Sequence, residues 1–175
     1  MKKKFIIILN LFVCGTAFSQ NSYQVFTASG FKVKCDCILK ANSLFIKMAK
    51  EQGVNNIIGA YVCASNEDNP DIAVIVNINI YDDSKSYNNI KPSEYSSFEK
   101  DSFKQYASKL SSSGMQYNYT TYKGITALEY TFEQMGLNTK AIMFFKNKKS
   151  YLLQIATNKE LSIKYSELKD SFTIL

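Results

Sequence analysis

The chain has 175 residues and contains no histidine and no tryptophan. It has no arginine either, so all 21 basic residues are lysine. Without imidazole there is no Ser-His-Asp triad, no histidine general base and no histidine-bearing zinc site. Without guanidinium there is no planar fork for bidentate recognition of phosphate or carboxylate. No glycine-rich phosphate loop, Gly-x-Ser-x-Gly elbow or paired-carboxylate signature is visible. An enzyme would have to work with Lys, Tyr, Ser, Cys or carboxylates, and none stands in a recognisable catalytic grouping. A non-catalytic role is favoured over an enzyme, and no cofactor is called for.

What is present begins with an export pattern. Lys2, Lys3 and Lys4 precede an apolar run from Phe5 to Val13, broken only by Asn10. Ala17-Phe18-Ser19 then supplies small residues at the −3 and −1 positions of a cleavage after Ser19. The run is short for a membrane span. Residues 1–19 therefore read as a secretory signal peptide and residues 20–175 as one domain, placing the protein in a periplasm or outside the cell. A lipoprotein anchored through Cys14 is the alternative. Val13 stands where lipidation wants a small residue, although Gly15 is compatible. Loss of the three leading lysines lowers the net charge from +6 to +3, which gives little reason to expect nucleic acid as a partner. No later stretch is apolar enough for a second span.

The mature part alternates between two periodicities. Ser22 to Lys40 reads as a pair of strands broken at Ser29-Gly30, with Phe31, Val33, Cys35 and Cys37 on one face of the second. Asn42-Ser43 fits the cap of a short helix through Gln52, with a strand as the alternative. Ile57 to Ala64 and Ile72 to Tyr81 are strands, separated by a loop over Ser65 to Asp71. Pro92-Ser93 opens a helix that gathers Tyr95, Phe98, Phe103, Tyr106, Ala107 and Leu110 on one side, with Glu99 intruding. Ser111 to Gly114 stops it. Gln116 to Tyr122, Ile125 to Met135, Lys140 to Phe145 and Ser150 to Thr157 are strands, with turns at Lys123-Gly124, Gly136 to Asn138 and Lys146 to Lys149. A last helix spans about Lys159 to Asp170. The fold class is α+β, a mostly antiparallel sheet with helices packed against it.

This order resembles the PsbP-like fold, whose bacterial relatives include small exported envelope proteins. The residues that carry the resemblance are the glycine-led strand GFKVKCDCIL (Gly30 to Leu39), the middle helix, and the closing segment KAIMFFKNKKSYLLQIATNKELSIKYSELKDSFTIL (Lys140 to Leu175). Cys-Asp-Cys stands where such proteins often have a proline-bearing strand end. The resemblance implies a sandwich-like layout and a non-catalytic binding or assembly module. It supplies no catalytic residue.

Four groups of side chains invite a functional reading. In an oxidising compartment Cys63 is expected to pair with Cys35 or Cys37, leaving the third thiol as a buried apolar side chain. The sharper reading of the same three sulfurs is a soft-metal (copper) or exchangeable redox site. The loop Glu67, Asp68, Asn69, Asp71 lacks the spacing and distal carboxylate of a calcium loop and reads as a solvated turn, as does Asp82-Asp83. Lys146, Lys148 and Lys149 at a hairpin tip offer a positive patch to an anionic surface or glycan. Tyr117, Tyr119 and Tyr122 offer amphipathic contact area to a protein or glycan. The sequence thus favours an exported, non-catalytic envelope or secreted binding protein whose partner is an envelope protein or glycan. The alternative is a thiol-based redox or copper-handling protein using Cys35, Cys37 and Cys63.

Overall fold

Long runs of β-branched and aromatic residues divided by two-residue turns build the centre of the molecule. A computed structural model describes residues 22–69 and 71–175. The export segment 1–19 and Cys14 lie outside the described residues. In chain order the elements are β1 (Gln24–Phe26), β2 (Phe31–Val33), β3 (Lys40–Ala41), α1 (Ser43–Glu51), β4 (Ile57–Ser65), β5 (Val74–Asp82), α2 (Tyr95–Ser112), β6 (Gln116–Tyr122), β7 (Ile125–Gln134), β8 (Leu137–Lys146), β9 (Lys149–Thr157), α3 (Leu161–Ser171) and β10 (Thr173–Ile174). Seven strands form one antiparallel sheet in the order β3-β4-β5-β9-β8-β7-β6, and β1-β2-β10 form a second, smaller one. The α+β class expected from the sequence is the class observed.

Three hairpins set the register of β6 to β9. Each turns on two consecutive residues with positive φ: Lys123 and Gly124 (47° and 81°), Met135 and Gly136 (55° and 74°), Asn147 and Lys148 (54° and 59°). Such turns match the right-handed twist of the strands they join. They bring Tyr122 opposite Ile125, Gln134 opposite Leu137 and Lys146 opposite Lys149. The expected turn over Gly136 to Asn138 therefore lies one residue earlier, and β8 begins at Leu137 rather than Lys140. Gly136 fits the second left-handed position, and Asn158 holds the turn by donating from Nδ2 to its carbonyl at 2.8 Å.

The sheet is covered on both faces. On one, Val76, Ile78, Ile142, Phe144, Leu153 and Ile155 are buried beneath Tyr165 and Leu168 of α3 and beneath Phe31 and Val33 of the small sheet. On the other, Phe103, Ala107 and Leu110 of α2 pack on Leu128, Tyr130, Ala141, Phe145 and Leu152. This double cover explains why β8 and β9 lack clean polar alternation. Glu99, the charge that breaks the apolar arc of α2, accepts a hydrogen bond from the buried Tyr87 hydroxyl at 2.9 Å. The Asn42 side chain caps α1 as expected, accepting from the Phe45 amide at 2.9 Å.

Other expectations are corrected. The second strand of the pair expected over Ser22 to Lys40 ends at Val33, because side chains take over the ladder beyond it. The Ser171 hydroxyl accepts from the Lys34 amide at 3.0 Å, and the Gln24 amide group serves the Cys37 carbonyl and the Leu39 amide, both at 2.8 Å. Strand β10 was not expected. Thr173 and Ile174 pair with Lys32 and Phe31 because Phe172 leaves α3 in extended geometry and anchors in the core. Asp82-Asp83 is more than a solvated turn. Asp83 is half-buried, accepts from Asn56 Nδ2 at 2.8 Å, and burial pushes its carboxyl up from the ordinary range. Glu67, Asp68 and Asn69 are exposed, as a solvated loop requires.

Candidate functional site

The segment that leaves β2 carries Lys34, Cys35, Asp36 and Cys37, and its path is fixed from two directions. Cys37 is bridged to Cys63 of β4, with the Cα atoms 5.6 Å apart across a sequence separation of 26. A loop of that length is restrained by about 3–4 kcal/mol in the unfolded chain. From the other side, Ser171 at the end of α3 holds the Lys34 backbone. The three cysteines read from the sequence are thus together, two as the bridge and Cys35 as the free thiol.

Cys35 is held against that bridge. Its Sγ lies 3.9 Å from Cys63 Sγ, donates to the Cys37 carbonyl at 3.1 Å, and accepts from Gln24 Nε2 at 3.3 Å. Burial pushes the thiol up to about 11, the Asp36 charge adds to the rise, and the Gln24 hydrogen bond opposes it. The group is therefore a neutral thiol at neutral pH. Cys35 is partly exposed rather than wholly buried, a small departure from the expected inert core side chain. Among the described residues no group of three or more His, Cys, Asp or Glu is arranged to hold a metal ion. The bridge occupies two of the three sulfurs that the copper reading would need.

Cys35 also opens onto a cleft of about 1070 Å³. One wall is Tyr23, Lys34 and Asp36, the other is the α3 face that presents Ile163, Lys164, Glu167 and Asp170, and Val74, Val76 and Ile155 lie beneath. Lys164 and Asp36 form an ion pair between the two walls. Lys32 and Lys34 stand over the Tyr23 ring at 4.9 and 4.8 Å. The cleft therefore offers both signs of charge around an apolar floor.

A second polar cluster escaped the sequence reading. Glu129 on β7 faces α3, where it accepts from the Tyr165 hydroxyl at 2.7 Å and from Lys169 Nζ at 3.2 Å. Lys140 stands over the Tyr165 ring at 4.5 Å. Burial by itself would raise the Glu129 carboxyl, but these hydrogen bonds and lysine charges outweigh it and hold the group below its ordinary value. The signal for it was slight: a lone carboxylate at a position where strand alternation points to the core.

The surface candidates separate. Tyr117 and Tyr119 are 40% and 50% exposed on the free edge strand β6, with their rings in edge contact at 6.2 Å. Tyr122 is 5% exposed and its hydroxyl donates to the Lys169 carbonyl at 2.6 Å, so it is a core residue and not part of that surface. Strand parity separates it from the other two. Lys146 and Lys148 are exposed at the β8–β9 tip, Lys149 is half-buried, and Lys148 stands over the Tyr95 ring at 5.5 Å. Among the described residues no helix is long and apolar enough to cross a membrane.

No family model matches the chain, and no curated protein matches it. Among solved structures it is similar to the solution structure of cyanobacterial PsbP from Synechocystis. The identity is 11%, the match covers 94% of this chain and 99% of that one, and the TM-score is 0.42. It is also similar to a Pseudomonas aeruginosa protein of unknown function, at 10% identity, with 62% and 74% of the two chains covered and a TM-score of 0.38. These are distant likenesses of layout, and the first is to a protein of the fold that the sequence resembles.

Proposed function

We propose that this chain is an exported, non-catalytic binding protein of the envelope or extracellular space, and that its site is the cleft between residues 34–36 and α3. The observation that carries the reading is the cleft itself: about 1070 Å³, an apolar floor, and walls of both charge signs joined by the Lys164–Asp36 pair. Binding sites combine an apolar interior with a few placed polar groups in this way. The Cys37–Cys63 bridge supports export, because such bridges persist in oxidising compartments. A peptide segment of an envelope protein suits this cleft better than a glycan. Among the described residues Tyr23 is the only aromatic ring in its lining, and the mixed charges match a polypeptide's side chains.

Photo-crosslinking in the intact envelope tests this, with the probe at Ile163 in the cleft or at Ser108 on α2, which packs on the opposite face of the sheet. The expected result is a defined partner captured from Ile163, absent from Ser108, and lost with Lys164→Glu. Equal capture from both positions, or none from Ile163, overturns the site. Intact mass of the isolated protein should begin at Gln20, and a full-length cytoplasmic product would overturn export. Turnover from a broad hydrolase panel, abolished by one point substitution, would overturn the non-catalytic reading.

A further inference from the structure

We infer that Cys35, Cys37 and Cys63 form one thiol–disulfide exchange site, in which the bridge to Cys63 passes between Cys37 and Cys35. The bridge joins Cys37 to Cys63, and the third sulfur is held 3.9 Å from one particular sulfur of it, that of Cys63. Cys35 also donates to the Cys37 carbonyl oxygen, at 3.1 Å. Attack on Cys63 is therefore the productive direction. A Cys35–Cys37 bridge would have to close a small ring over a single intervening residue, a geometry that stores strain.

The exchange needs no outside electrons. Cys35 gives its thiol proton to solvent, and its thiolate attacks Cys63 Sγ. The Cys35–Cys63 bond forms as the Cys37–Cys63 bond breaks, the electron pair leaves on Cys37 Sγ, and that thiolate takes up a proton. One disulfide and one thiol are present before and after. Burial holds Cys35 protonated near neutrality, so little of the attacking thiolate is present there and the step is slow.

Gln24 ties the Cys35 sulfur to the backbone of Cys37. Its Nε2 donates both to Cys35 Sγ, at 3.3 Å, and to the Cys37 carbonyl, at 2.8 Å, so one side chain holds the entering and the leaving residue. Neither lies in a strand, so exchange between them breaks no sheet-ladder hydrogen bond of the 34–39 segment. The site is separate in its chemistry from the binding reading of the cleft, and its test uses no ligand.

The test maps disulfides in the purified oxidised protein. Wild type is incubated at about pH 9 in anaerobic, chelator-treated buffer, where thiolate exchange is faster, then acid-quenched, alkylated and digested. The expected result is a Cys35–Cys63 peptide appearing beside Cys37–Cys63 and reaching a constant ratio, with alkylated Cys37 rising in step. Cys37→Ser, oxidised with glutathione disulfide, should form Cys35–Cys63, with two glutathione thiols released for each bridge. Cys35→Ser should keep Cys37–Cys63 alone. Only Cys37–Cys63 in wild type after prolonged incubation overturns the inference. So does folded Cys37→Ser in which Cys35 and Cys63 remain free thiols. If Cys37→Ser does not fold, the wild-type measurement decides.

Discussion

The hydroxyl of Tyr165 on α3 donates to Oε1 of Glu129 on β7 at 2.7 Å, tying the closing helix to a strand in the interior of the sheet. Lys169 completes the arrangement at 3.2 Å, with both ion-pair partners mostly buried. Tyr165→Phe should cost about 1–2 kcal/mol, since it leaves a buried acceptor short of a donor. Glu129→Gln should cost about 1–3 kcal/mol, the range for hydrogen bonds to charged groups. Urea unfolding of the two variants checks both values, and unchanged midpoints would remove this cluster from the stability of the fold.

The same carboxylate sets an acid limb. Its folded value lies below the ordinary 4.5, so the folded state binds fewer protons than the unfolded state in that window. Stability from Glu129 is therefore complete above the ordinary value and is lost as pH falls through the folded one. Wild type should weaken more steeply than Glu129→Gln below about pH 4.5. Parallel acid titrations of the two proteins would contradict this.

Cys35 should react by the opposite rule. Its thiol is raised to about 11, so the rate of alkylation should climb about tenfold for each pH unit well past the ordinary thiol range. Rates of iodoacetamide adduct formation, followed by intact mass, check it. A plateau near the unperturbed value of 9.0 would show an ordinary, solvated thiol.

Met135 sits at φ 55° in the β7–β8 turn, is 63% exposed, and precedes Gly136 at φ 74°. Asparagine tolerates that conformation better and recreates the preferred Asn-Gly pair. Met135→Asn should stabilise the protein by about 0.5–1 kcal/mol, because little packing is given up. Thermal unfolding reads the sign directly.

Phe172 is 1% exposed and lies 5.3 Å from the Phe31 ring and 5.9 Å from that of Tyr151. It joins the small sheet to the large one, so Phe172→Ala should cost about 3–5 kcal/mol. Hydrogen exchange should speed up in β2 and β10 before it does in β8 and β9. Uniform loss of protection would argue against a separable small sheet.

Much of the large sheet was legible, because Ile72 to Tyr81 and the strands after Gln116 carry enough β-branched and aromatic residues, with turn chemistry between them, to declare themselves locally. The helix at Asn42 was legible only in part, since its capping residue pointed to a helix while a strand stayed open as the alternative. Strand β10 was not. Its two residues have no periodicity, and they pair only because Phe172 is drawn into a core built from distant segments. The end of β2 was misplaced because Gln24 and Ser171 replace ladder partners there, and no local pattern announces a side chain arriving from far along the chain.

By itself the sequence determined the α+β class, the removal of histidine and arginine chemistry, and the grouping of three cysteines as candidates for one bridge. Those conclusions rest on composition and short-range periodicity, which the chain carries wherever it folds. Only the tertiary structure decided that Cys37 takes Cys63, that Cys35 waits 3.9 Å away, and that Tyr122 is core while Tyr117 and Tyr119 are surface. The physical reason is that Cys35 and Cys37 stand two residues apart. Which of them reaches Cys63 depends on where β2 stops, and that is set by the Gln24 and Ser171 contacts made across the fold.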